Sequence, residues 1–363
     1  MDWITSLLLG CHLLCVNVAT GGPLLAVALE WKEHRGDRAA GILGRRLLRA
    51  AIGGLLIGGM LGLASGWPQW SVGLREVAAR LPSKILFGII EVAFSLILML
   101  VHARFWRRAT ESSFAARCVR SFLAMLAFTN LAYHFPVLFT VISELVHAGG
   151  DATDGIASSE FRGLIVSGSV LPRSIHAILA SIAVSGLWTA VLASDRNADS
   201  EENGWRLVRW GACWALIPTL VQIPVGLWVL TRLPPSGQRA LMGGDLSATG
   251  LFLLAVLASL ALCHLLAALA MGDTTRAKIT QATVLMVVTV VAMTVVSQRI
   301  FRPAPRSAIE AASGASGAPV FLGRSDCGAP FHVACPSRFG NPRSRYGSGR
   351  PDSHESRFQL LFV

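Results

Sequence analysis

Charge is scarce in this chain. Asp, Glu, Lys and Arg make up 15% of its 363 residues, hydrophobic residues make up 53%, and the mean hydropathy is +0.56. A soluble domain carries about 25% charged residues, so that class is excluded and an integral membrane protein is indicated. Carboxylates are scarcest where ion or proton transport would need them. Glu91 alone lies centrally in an apolar run, with Glu144 near an end, whereas a proton relay or ion path wants several intramembrane acids. Cysteine supplies no framework either. Cys11, Cys15, Cys118, Cys213 and Cys263 fall in or beside apolar runs, where cysteine behaves as a small apolar residue. Cys327 and Cys335 could pair only in a tail lying outside the membrane, and their spacing is not diagnostic. The C-x-x-C-H signature of covalent c-type haem is missing, and the order Cys11, His12, Cys15 is not that motif. Zinc would need more ligands than this stretch supplies. No nucleic-acid motif accompanies the formal charge of +11; much of it sits in short loops and in the tail, where membrane orientation and anionic headgroups explain it.

What the chain has in quantity is apolar runs of roughly 20 residues, enough to cross a hydrocarbon core. They fall near 4–30, 47–67, 84–105, 121–147, 169–194, 207–231, 247–271 and 279–300. The fold class expected is an all-α integral membrane protein, a bundle of about eight transmembrane helices. The second run, "AAIGGLLIGGMLGLASG", is rich in glycine, which suits close helix contact better than lipid. Pro136 in the fourth run, and Pro218 and Pro224 in the sixth, predict kinks.

Orientation follows from the short loops. Lys32, Arg35, Arg38, Arg45, Arg46 and Arg49 follow the first run, and Arg104, Arg107, Arg108, Arg117 and Arg120 follow the third. Arg196, Arg206, Arg209, Arg276 and Lys278 continue the alternation, with Arg75, Arg80 and Lys84 against it. These place the N-terminus outside and an even number of spans, in a bacterial-type inner membrane. The first run has no basic leader and is too long for a signal peptide, so an uncleaved helix is expected. Residues 1–301 form the polytopic membrane domain, and 302–363 a basic tail rich in Gly, Pro, Ser and Arg without helical periodicity. That tail is expected to be disordered. Its abrupt change of style fits translation in a shifted reading frame, with a genuine extension as the alternative.

Histidine carries the functional signal. His12, His134, His176 and His264 fall well inside the runs, His102 and His147 near run ends, and His34 in a loop. An intramembrane imidazole needs a partner inside the bundle. For any one of them a hydrogen bond across helices is sufficient. Several at related depths also fit haem iron, which takes a neutral nitrogen held in an apolar slot. Counting about 1.5 Å per residue puts His12 and His176 both roughly 10 Å below the outer surface, with His134 roughly mid-membrane. Gly21, Gly22, Gly58, Gly59 and Gly62 would let a flat macrocycle fit, and equally suit bare helix packing.

The segment "CHLLCVNVATGGPLLAVALEW" resembles the first helix of cytochrome bd quinol oxidase subunit I, where a histidine precedes an apolar run ending in an acidic residue. "LLIGGMLGL", "FGIIEVAF", "FTNLAY" and "SIHAILASIAVSGLWTAVLASDR" are similar, in order, to that family's second to fifth helices. The resemblance covers roughly residues 1–230 and implies a membrane haem-binding electron-transfer protein. It implies His12 as axial ligand of a second, high-spin haem and His176 as ligand of a low-spin haem b. Glu91 is implied as a catalytic acid on a proton path or propionate network, with a buried neutral acid as the alternative. A methionine ligand is not evident, and His264 lies roughly 14 Å deeper than His176, so His134 is the expected second ligand. Quinol or a cytochrome and a second membrane subunit are the implied partners besides the lipid bilayer. The chain departs from the family at "MDWITSLLLGCH" and "HFPVLFTVISE", shows no quinol loop after "QIPVGLWVL", and has no evident ninth helix before the tail. A non-catalytic helical membrane protein without haem is the alternative, and a small-solute transporter, for which no inverted repeat is visible, the third.

Overall fold

The computed structural model describes residues 3–66, 72–108, 113–148, 155–166, 168–195 and 201–300. Arg196 and the tail from 302 onward, with Cys327 and Cys335, lie outside the described residues. The long helices are α1 (Trp3–His34), α2 (Arg38–Gly66), α4 (Pro82–Arg108), α5 (Phe114–Ala148), α7 (Val170–Ala193), α8 (Glu201–Thr231), α10 (Leu246–Met271) and α11 (Arg276–Ile300). Short helices α3 (Val72–Arg80), α6 (Ser158–Val166) and α9 (Pro235–Arg239) connect them. No strand occurs among the described residues.

Eight of these helices are long and apolar enough to cross a membrane, and the chain is a multi-pass membrane protein of that class. Their outer faces carry the reason. On α4, Leu86, Phe87, Ile90, Phe94 and Ile97 recur at helical spacing and are all exposed; such a stripe in water would be an aggregation patch, and against lipid it needs no cover.

Local signals set the helix ends. Gly36 takes a φ of 97°, which ends α1, and Asp37 then starts α2 by accepting the Ala40 N–H at 3.1 Å. The second helix therefore begins at Arg38, nine residues before its apolar run suggests, and Arg38, Arg45 and Arg46 ride on the helix instead of a loop. Their stems run along it while the heads of Arg45 and Arg46 reach Glu33 and Asp195, at 2.8 and 3.6 Å. The helices run through Pro23, Pro136, Pro218 and Pro224. Between α9 and α10 the helical path breaks at Met242 and Gly243, the latter with φ of 104°.

α1 is the central element, packing on α2, α5, α7 and α11. One core cluster joins α1 and α2 to α7, α8, α10 and α11 through Leu25, Leu47, Leu187, Val208, Leu266 and Met286. A second joins α1 and α2 to α4 and α5 through Ala26, Leu48, Met99, Trp106 and Leu131. Alternating chain direction brings the C-terminal ends of α1, α4, α7 and α10 to the N-terminal ends of α2, α5, α8 and α11. Ties such as Arg206 to Asp37 at 2.8 Å and Arg209 Nε to the Ala270 carbonyl at 3.3 Å hold that end together. We call it the basic end, since most loop arginines lie there.

Candidate functional site

The candidate imidazoles stand at different helix interfaces. His12, on α1, turns towards α2, where its Nδ1 lies 2.7 Å from the Gly58 carbonyl oxygen. A carbonyl only accepts, so Nδ1 carries the proton and Nε2 keeps its lone pair. The ring fits because position 62 is glycine: a Cβ there would lie 2.8 Å from His12 Cε1 and 2.9 Å from Nδ1. The same face of α2 accommodates α1 at Gly54 and Gly58, where a Cβ would lie 2.8 Å from the Cys15 carbonyl and from a Val16 methyl. Gly59 faces away, with nothing within 4 Å, so the glycine-rich run is only in part a packing surface.

His176, on α7, turns towards α8. The Gln222 Nε2 group lies 3.2 Å from the His176 carbonyl, to which it donates, and 3.4 Å from the ring Nε2. The ring Nδ1 is buried and makes no hydrogen bond among the described residues. Gly226 lies alongside, where a Cβ would sit 3.9 Å from His176 Cε1. α1 and α7 meet so closely that a Cβ on Gly21 would lie 2.3 Å from the Ser181 carbonyl oxygen, and Ser185 Oγ donates to the Asn17 carbonyl at 3.2 Å. Counting about 1.5 Å per residue from these contacts, His12 and His176 come within about one helical turn of the same level.

His134, on α5, is half-buried and packs edge-on against Phe87 and Tyr133, with ring centroids 5.1 and 5.0 Å apart. Glu91 is half-buried on α4, and its carbonyl oxygen accepts from Asn130 Nδ2 at 3.0 Å. The same amide donates to Ser95 Oγ at 2.8 Å, which latches α4 to α5 beside the acid. His264 is exposed on a groove of about 460 Å³ between α10 and α11, lined also by Thr280, Gln281 and Leu285. Among the described residues no group of three or more His, Cys, Asp or Glu side chains could hold a metal ion.

At the basic end the structure assembles a cluster that sequence reasoning leaves without a role. Glu30 of α1, His102 of α4 and Arg120 of α5 are 3%, 0% and 5% exposed. Arg120 Nε donates to Glu30 Oε1 at 2.6 Å. His102 Nδ1 lies 3.1 Å from the Arg120 carbonyl oxygen, and its Nε2 faces Glu30 Oε2 at 3.4 Å. One turn further along α1, Glu33 accepts from Arg45 and from Trp106 Nε1, both at 2.8 Å. Trp31 Nε1 donates to Ser121 Oγ at 2.9 Å on the other side. The signal for this cluster was present: an acid, a histidine and an arginine sit near the ends of three runs that share one membrane face. Which of the many polar groups there would be buried is decided only by packing.

Compared with protein-family models, curated proteins and solved structures, the chain finds no match in any of the three.

Proposed function

We propose that this chain is a membrane haem-binding electron-transfer protein, related to the quinol-oxidising, oxygen-reducing subunit of cytochrome bd oxidase. The observation that carries the reading is His12, whose Nδ1 is tied to the Gly58 carbonyl at 2.7 Å. Fixing one ring nitrogen by a backbone oxygen orients the other as a ligand, the arrangement that metal-bound histidines use. Gly62 leaves the ring its place. His176 supports the same reading, with a buried ring nitrogen that has no hydrogen-bond partner among the described residues and a glycine beside it.

Haem bound at these histidines would supply one-electron carriage within the bilayer. His12 would hold the high-spin group, and His176 the low-spin haem b with His134 as its second ligand, which requires His134 to leave its stack on Phe87 and both rings to turn from the α4 and α8 sides towards each other. Binding through His176 Nε2 requires the Gln222 amide to move aside, since it occupies that nitrogen at 3.4 Å. Glu91, half-buried beside the Asn130 latch, would hold a proton within the bundle. Orientation with the basic end in the cytoplasm of a bacterial-type cell places the N-terminus outside. Quinol or a cytochrome would then donate electrons, with a second membrane subunit as partner.

Membranes carrying the chain at known stoichiometry and with ample haem supply test this. The dithionite-reduced minus oxidised spectrum is expected to show b-type bands; a silent spectrum ends the haem reading. What would then remain is a helical membrane protein without haem, in which His12 serves only as a bridge from α1 to α2.

A further inference from the structure

The cluster at the basic end presents a deficit of one hydrogen. Both ring nitrogens of His102 face acceptors: the Arg120 carbonyl oxygen at 3.1 Å and a Glu30 carboxylate oxygen at 3.4 Å. A neutral imidazole has a single N–H. Whichever nitrogen bears it, the other turns a lone pair onto an oxygen lone pair. Among the described residues neither Glu30 Oε2 nor His102 Nε2 makes a hydrogen bond, not even across the 3.4 Å between them, and both atoms are buried. An unmet buried acceptor pair is costly, and a single added proton removes the conflict, either on the imidazole or on the carboxyl.

The surroundings permit that proton without supplying a substitute for it. Arg120 is committed to the other carboxylate oxygen of Glu30 at 2.6 Å. From α1 and α2, Glu33 and Arg45 pair with each other at 2.8 Å, so they add little net charge. From α5, Arg117 also acts on Glu30. From α4, Trp106 stacks edge-on against His102 at 5.2 Å and closes the site on that side. Arg120 Nε reaches Oε1, and Oε2 stands opposite His102 Nε2.

We infer that Glu30 and His102 together form a proton-binding site at the basic end of the bundle, holding one proton between Oε2 and Nε2. Glu30 lies eighteen residues beyond His12 on α1, about 27 Å along the axis, so the site serves the basic face and is independent of any haem. Proton uptake here is a plain acid–base step: a proton from the aqueous phase is taken by the dyad, leaving hydroxide or deprotonated buffer behind.

The measurement is ¹⁵N solid-state NMR of the full chain in lipid vesicles, labelled at histidine, between about pH 5 and about pH 9. The His102→Gln variant assigns the His102 signals by difference, and the carboxyl stretch in infrared spectra of the same vesicles reports Glu30. Glu30→Gln is the informative partner, because its amide oxygen still accepts from Arg120 while its amide N–H supplies the missing donor to Nε2. The expected result is a wild-type His102 protonated at both nitrogens, or a protonated Glu30 carboxyl, in part of this pH range. In Glu30→Gln, His102 becomes a neutral imidazole with no titration. A wild-type His102 that is neutral with a free Nε2 throughout, beside a Glu30 that never takes a proton, overturns the inference. The wild-type spectra alone decide that point should Glu30→Gln not fold.

Discussion

The tightest backbone approach along α1 allows a quantitative test. A Cβ at Gly21 would lie 2.3 Å from the Ser181 carbonyl oxygen, 2.6 Å from Ser185 Oγ and 2.7 Å from the Ser181 carbonyl carbon, where 3.4–4 Å is ordinary contact. Two of the three opposing atoms are backbone in the middle of α7, so no side-chain rotation relieves the clash. Gly21→Ala must push α1 and α7 apart by about 1 Å, which strains the Ser185 bond to Asn17 and the packing beside it. Overpacking of this kind costs about 1–3 kcal/mol, and rigid opponents put Gly21→Ala at the top of that range. Gly59→Ala is the matched control, because nothing lies within 4 Å of its Cβ; replacing glycine inside a helix there should stabilise by about 0.5–1 kcal/mol. The two alanines thus differ in sign and by roughly 3.5–4 kcal/mol in all. Unfolding in mixed micelles by SDS titration, followed through tryptophan fluorescence, measures both. Equal stability of the two variants would refute the α1–α7 contact, and with it the level at which His12 and His176 stand.

Other expectations follow from the sites described. Arg120→Ala should destabilise the chain by about 3–5 kcal/mol in the same unfolding assay at a pH where the Glu30–His102 pair holds no added proton, because it removes the nearest counter-charge from the buried Glu30 carboxylate; replacing Glu30 and Arg120 together with leucine and methionine should recover much of that loss. His176→Ala and His134→Ala should each abolish the low-spin haem signal and His12→Ala a separate high-spin component; low-spin spectra surviving in full in both of the first two variants would reject the ligand assignment. Asp245 caps α10, and the amides of Ala248 and Ser247, with Arg299 nearby, hold its carboxyl below the usual carboxylate range. Its folded-state pKa is depressed, so its contribution is fully present above the ordinary value of about 4 and is lost as pH falls through the lower folded value. The protection factors of the Ser247 and Ala248 amides against hydrogen exchange, taken relative to the intrinsic rate at each pH, should therefore fall in that acid window, and Asp245→Ala should show the lower protection at every pH.

The number of spanning helices was legible in the sequence because hydrophobic length is a local property: each run of roughly 20 apolar residues must cross the bilayer whatever its neighbours are. The ends that Gly36 and Asp37 impose between α1 and α2 were missed, because the arginines around them read as loop. Tertiary packing alone sorted the glycines, setting Gly21, Gly54 and Gly62 against another helix and leaving Gly59 open, since the sequence does not say which side of a helix meets a partner. It also divided the histidines. His102, legible only as a residue near a span end, became fully buried between Glu30 and Arg120, while His264, well inside its span, stayed exposed. Residues 30, 102 and 120 are far apart along the chain, and only the alternation of helix direction brings their three helix ends to one face, where burial turns ordinary charges into a site.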